Sequence, residues 1–177
     1  VLSTVLVAIP GFWFAMMLIL LFSLKLDLLP ASGVVSWQSY ILPVIAVAGP
    51  NGCRILRITR STMLECIRED YVRTAHSKGV PSRTVVYRHA LQNALLPVIT
   101  TIGQAFGVIL GGAIIVESVF SMPGLGSLII LSIRSKDTPM ILACVLLLAV
   151  FFSLVMLVVD IVNAKIDPRI KAKYAKK

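Results

Sequence analysis

Apolar positions along the chain come in four long runs, separated by turn-rich or basic segments. A bilayer core takes about 20 mostly apolar helical residues. The runs at about 1–24, 39–58, 94–120 and 139–164 reach that length and predict four membrane-spanning helices. Pro10 and Gly11 punctuate the first; Pro43, Gly49 and Pro50 fall inside the second. Spans tolerate such breakers where neighbouring helices or water satisfy the freed backbone groups. The expected fold is therefore all-α, a polytopic membrane helix bundle rather than isolated anchors. Thr138 and Pro139 open the last run, with Thr suited to an N-cap and Pro to the first helical turn.

The pattern changes between the second and third runs. Ile55, Ile58, Met63, Ile67 and Val72 recur at near-helical spacing with charges between them, predicting a helix over about 55–74 that extends to Lys78. Glu65 with Arg68 and Glu69 with Arg73 are spaced for ion pairs on that helix. Gly79 is then a good residue to follow a helix end, and Pro81 blocks continuation. Ser82 can cap a new helix, RTVVYRHALQNALL, leading into the third run. Residues of about 59–93 thus read as a helix, a sharp corner and a second helix. A charged, bent knob joined to two spans suits force transmission and can plug into a cleft of a soluble partner.

The other connectors differ. Residues 25–38 are a turn-rich link built on Pro30, Ser32 and Gly33. Residues 121–138 open with Pro123-Gly124 and continue as a short amphipathic piece, Leu125 to Ser135, fit to lie at the membrane interface. In the third run Gly103, Gly107 and Gly111 stand four apart, a small-residue stripe that lets another helix come close. Gln104 is polar in mid-span, either on a translocation path or bonded to a neighbouring helix. Glu117 and Asp160 lie near span ends, where interfacial or structural roles are expected.

Composition supports the membrane class: 58% of the 177 residues are hydrophobic, 14% are charged, and mean hydropathy is +0.93. The net charge of +9 raises the question of nucleic acid. The charge follows the spans instead, and few aromatics interleave with it to stack on bases, so no nucleic acid is expected. Residues 54–90 carry eight Lys/Arg and the tail from Lys165 carries six, against Lys25, Arg134 and Lys136 on the other side. The positive-inside rule puts residues 54–93 and the tail in the cytoplasm. With that topology the chain starts inside an apolar run at its cytoplasmic end, so further spans are expected upstream. Cys53, Cys66 and Cys144 show no metal spacing, and His76 and His89 are thirteen residues apart. No metal, cofactor or catalytic residue is expected. A gradient-driven secondary transporter is the alternative, though the chain lacks the mid-depth ionisable groups such carriers use. No sequence signature of an intramembrane enzyme occurs.

The segment from Arg73 to Val80, RTAHSKGV, resembles the cytoplasmic EAA loop of ABC-importer permeases, in which Glu-Ala-Ala is followed three residues later by Gly. Ala75 and Gly79 match; Arg73 and Thr74 replace the Glu and the first Ala. The pattern's later Leu-Pro would fall at Leu91-Gln92, whereas Leu-Pro occurs at Leu96-Pro97. LLPASG, DYVRTAHSKG, RHALQNALLPVIT, VESVFSMPGLG and DIVNAKIDPR, in that order, resemble the "first" permease of dipeptide, oligopeptide and nickel importers. The resemblance implies six spans, of which these four would be the third to sixth. It implies that Arg73, Thr74, Ala75, His76, Ser77, Lys78, Gly79, Val80, Pro81 and Ser82 form a coupling loop docked in a cytoplasmic ATPase. It also implies a second permease, two ATPase subunits and an extracytoplasmic binding protein as partners. The connectors near Pro30–Gly33 and Pro123–Gly126 would meet the binding protein or the second permease.

Overall fold

The structure is a computed structural model that describes residues 2–166. The basic tail residues Arg169, Lys171, Lys173, Lys176 and Lys177 lie outside the described residues. The described chain is helical: α1 (Leu2–Ala8), α2 (Gly11–Leu18), α3 (Ile41–Ile67), α4 (Asp70–Ser77), α5 (Ser82–Thr84), α6 (Leu91–Val119), α7 (Leu125–Arg134) and α8 (Thr138–Ile166). A π-helical turn, Ile19–Lys25, extends α2, and another, Val85–Ala90, joins α5 to α6. A 3₁₀ turn, Trp37–Tyr40, leads into α3.

Among the described residues three continuous helices are long and apolar enough to cross a membrane: Trp37–Ile67, Ser82–Gly111 and Thr138–Ile166. The first expected span, 1–24, is not one helix. Pro10 has no N–H to continue the ladder of α1, and its carbonyl instead accepts Phe14 N–H at 3.1 Å to start α2. Pro50 and Pro97, by contrast, lie inside unbroken helices. The second of the three long helices starts at Ser82, twelve residues before the third expected span, from about 94. α8 leaves Leu142, Leu146, Val150 and Phe151 exposed, a surface that lipid solvates as well as protein would.

The cap of α8 also differs from expectation. Asp137, not Thr138, serves: its Oδ1 accepts Met140 N–H at 3.1 Å. Thr138 is already in the first turn.

The chain folds as two compact units, residues 2–54 with 105–153 and residues 55–104 with 154–166. In the first, Ala15, Leu18, Leu42, Ala46 and Phe120 form a buried core. Two of the turn-rich connectors meet there. Gly33, at φ 76, donates its N–H to the Phe120 carbonyl at 2.8 Å. Phe152 packs on Gly107, where a Cβ would press into its ring.

In the second unit α8 packs on Gly103, where a Cβ would overlap Val159 and crowd the Met156 sulfur. Asn163 Nδ2 donates to Thr100 Oγ1 at 3.0 Å, tying α8 to α6 beside Pro97. Thr62 Oγ1 lies 3.3 Å from the Ala94 carbonyl, a contact from α3 to α6. Gly111 differs from the other stripe glycines: no atom lies within 4 Å of its would-be Cβ.

Candidate functional site

The knob of residues 68–90 is built wholly within the second unit. The helix expected over 55–78 is broken: α3 ends at Ile67, and Glu69 at φ −70, ψ 150 turns the chain before α4. The closing bonds run from Arg68 N–H to the Glu65 carbonyl at 3.0 Å and from Glu69 N–H to the Cys66 carbonyl at 3.3 Å. The break redistributes the expected ion pairs. Arg73 faces Asp70 at 3.8 Å instead of Glu69, and both side chains are so exposed that the pair contributes little. Glu65 accepts a hydrogen bond from Ser61 at 3.3 Å.

α4 is short but strongly two-sided. Val72 and Ala75, three apart, are buried; Arg73, Thr74, His76 and Ser77 are exposed. Thr74 and Ser77 use their hydroxyls locally, on the carbonyls of Asp70 at 2.9 Å and Arg73 at 3.0 Å.

The corner is a Schellman motif. Gly79 N–H donates to the His76 carbonyl at 2.9 Å, and Val80 N–H reaches back to Ala75 at 3.2 Å. Gly79 sits at φ 75, a left-handed conformation in which a Cβ is costly, while the space around it is open. The constraint on Gly79 is therefore backbone conformation and not crowding. Val80 folds back against the buried cluster.

Pro81 ends the corner and starts the next helix, its carbonyl accepting Val85 N–H at 3.1 Å. Ser82 does not cap this helix. It lies one residue inside, in the first turn, and no side-chain bond caps the end. The π turn over Val85–Ala90 follows. In an α-helix, residues five apart point about 140° away from each other; the wider π turn brings Val85 and Ala90 to one side. Both are fully buried and pack with Val72 and Ala75, flanked by Met63, Cys66 and Val80.

This small core pins the corner to α3 and α6. Ala75 is turned inward as part of it, while its neighbours along the corner are exposed. These are Arg73, Thr74, His76, Ser77, Lys78, Gly79, Pro81 and Ser82. Arg73, Lys78, Arg83 and Arg88 make the exposed face basic, with Glu69 and Asp70 as the acids on it. At its base, Tyr71 lies beside Asn93, Cys66 and Glu69. Partial burial is the first cause holding its phenol above the ordinary tyrosine value.

Gln104 is exposed on α6, and Asp160 is exposed on α8. Among the described residues no three His, Cys, Asp or Glu side chains are grouped to hold a metal. The cysteines are free, with Cys144 buried. Glu117, expected in an interfacial or structural role, is half-buried and accepts Ser127 N–H at 2.8 Å. Sequence reasoning misses Ser127, three residues into α7. The readable signal is Gly124 before an apolar helix: a glycine side chain cannot cap, so another residue has to.

The profile of the family described as "Binding-protein-dependent transport system inner membrane component" matches residues 1–172. The chain is also similar to the glutathione transport system permease protein GsiC of Escherichia coli (strain K12) and of Salmonella choleraesuis (strain SC-B67). Each is 44% identical over 167 residues, covering 94% of this chain and 55% of the relative. The chain thus spans about half the length of the curated relatives it matches. A short helix, a left-handed corner and a return helix, set between apolar helices and matched almost end to end by this family, place the chain within the binding-protein-dependent transport system inner membrane components.

Proposed function

We propose that the chain is part of a permease subunit of an ATP-driven ABC importer. It shares a translocation path with a second permease, receives substrate from an extracytoplasmic binding protein, and performs no chemistry of its own. Two cytoplasmic ATPase subunits supply the free energy. The knob is the coupling element, with the face from Arg73 to Ser82 seated in a cleft of one ATPase. The observation that carries this reading is the Gly79 corner, exposed at its tip and fastened at its base through Val72, Ala75, Val85 and Ala90. A tip fixed in this way passes a push from a docked partner into α3 and α6.

The basic residues of 54–90 put this face in the cytoplasm by the positive-inside rule. The substrate class supported best is small peptides, glutathione among them, because the relatives are named as glutathione permeases. Nickel or metal chelates rest on the sequence resemblance alone. Gln104, exposed on α6, is a candidate for the path, and Gly103 and Gly107 for close packing against α8.

The test is co-purification of the ATPase with the complete permease from membranes in mild detergent. Wild type should retain the ATPase, and Gly79→Arg should lose it at normal membrane abundance. Absence of any ATPase from wild type would sink the importer reading and return attention to a gradient-driven carrier.

A further inference from the structure

The junction of α6 and α7 carries an inference that rests on the transport reading above. Residues 120–124 separate the two helices, and Glu117 serves both ends. Its backbone carbonyl accepts Met122 N–H at 2.8 Å and closes α6. Ser121 is left-handed at φ 51, so this is a second Schellman corner. α7 then starts at Leu125 with Gly124 in the N-cap place. The first turn of a helix leaves N–H groups unpaired, and a side chain at the N-cap ordinarily accepts one of them. Glycine has none. Glu117 supplies it from α6: Oε2 accepts Ser127 N–H at 2.8 Å. Ser127 Oγ in turn accepts Gly124 N–H at 2.9 Å. The reciprocal pair of a capping box is complete, with one member borrowed from another helix.

Space fixes the pairing as firmly as bonding does. A Cβ on Gly124 would overlap the Glu117 carboxylate, and a Cβ on Gly126 would overlap the backbone of Ile114. A side chain at 124 would push the carboxylate at 117 aside and break its bond to Ser127. Glu117, Met122 and Pro123 also line a cleft of about 430 Å³, together with Tyr40, Pro43 and Val44.

We propose that Glu117 is a positioning residue for transport. Its borrowed cap locks the Met122–Gly126 lip and α7 to the end of α6, so that they move as one body when the cleft changes shape. The test uses the complete importer in proteoliposomes, read by ATP-dependent uptake of labelled glutathione and by hydrogen exchange at the Ser127 amide. Glu117→Ala should speed exchange about fivefold, the worth of a typical cap, and lower uptake by roughly tenfold. Glu117→Gln should stay within about twofold of wild type in both, because its carbonyl oxygen can accept the same bond. Gly124→Ser alone should push the Glu117 carboxylate aside and cap α7 itself, keeping exchange slow while lowering uptake like Glu117→Ala. Combined with Glu117→Ala it should still exchange slowly and still transport poorly, because a Ser cap restores the helix end but not the link to α6.

A double variant that recovers uptake at normal membrane abundance would overturn the proposal, since it has a capped α7 without the link to α6. So would a Gln variant as defective as Ala. If Glu117→Ala is not recovered from membranes, the Gln and double variants still decide. Exchange needs no substrate, so a wild-type complex that takes up no glutathione would count against the transport reading while the cap is still judged.

Discussion

The amide of Val80 donates to the carbonyl of Ala75 at 3.2 Å, across a left-handed Gly79. That bond folds the chain back on itself and presents the corner tip while Ala75 and Val80 press inward. An exposed tip and its buried anchor are thus made by adjacent residues facing opposite ways.

Substitutions at Gly79 should rank by backbone conformation, because no atom crowds the position. Gly79→Asn should be the mildest, since Asn enters the left-handed region most readily after Gly. Gly79→Ala should cost about 1 kcal/mol. Thermal unfolding of the purified permease complex checks the order, and Ala milder than Asn would refute it.

Val85 has no exposed surface and sits at the centre of the knob's core. Val85→Ala should loosen the knob by about 1–3 kcal/mol without touching the exposed face. Proteolysis within 68–90 should quicken, and ATPase retention should weaken even though every exposed residue is intact. Unchanged protease resistance would mean that the core does not hold the corner.

The three stripe glycines should respond unequally to alanine. At Gly103 the added Cβ meets buried Val159, a branched side chain with little room to turn, and overpacking of this kind costs about 1–3 kcal/mol. At Gly107 the obstacle is the Phe152 ring, which is partly exposed and can swing aside. Gly111→Ala meets nothing in this chain. Folded yield from membranes should therefore fall most at 103, less at 107 and least at 111.

α7 ends as α6 does, in a left-handed residue that is not glycine. Lys136 is at φ 55, and Asp137 N–H reaches back to the Ser132 carbonyl at 2.9 Å. Relief of the left-handed strain should make Lys136→Gly stabilising by about 0.5–1 kcal/mol, less whatever the freer unfolded chain takes back. A lower melting temperature in this variant would contradict the backbone argument. Asp137→Ala, which removes the cap of α8, should act in the opposite direction by about 1 kcal/mol.

Local sequence accounts for most of the helical elements and for the corner, but not for the break at Arg68–Glu69 that splits the helix expected over 55–78. Apolar run lengths are a local property and locate the three long helices. Gly79 and Pro81 stop and restart the chain because glycine's left-handed freedom and proline's missing N–H do not depend on tertiary context. Periodicity also shows that Val72 belongs to an apolar face. Which side chains those elements bring together is a matter of packing. Ala75 turns inward because Val85 and Ala90 come round a π turn to meet it, and nothing in the local pattern announces that turn. Of three equally spaced glycines, α8 packs on two, because contact depends on the partner's path as well as the stripe. Glu117 caps a helix that begins eight residues later in sequence because Gly124 leaves both the vacancy and the space. Local rules set where a helix can start and stop; only packing sets which distant side chain completes its end.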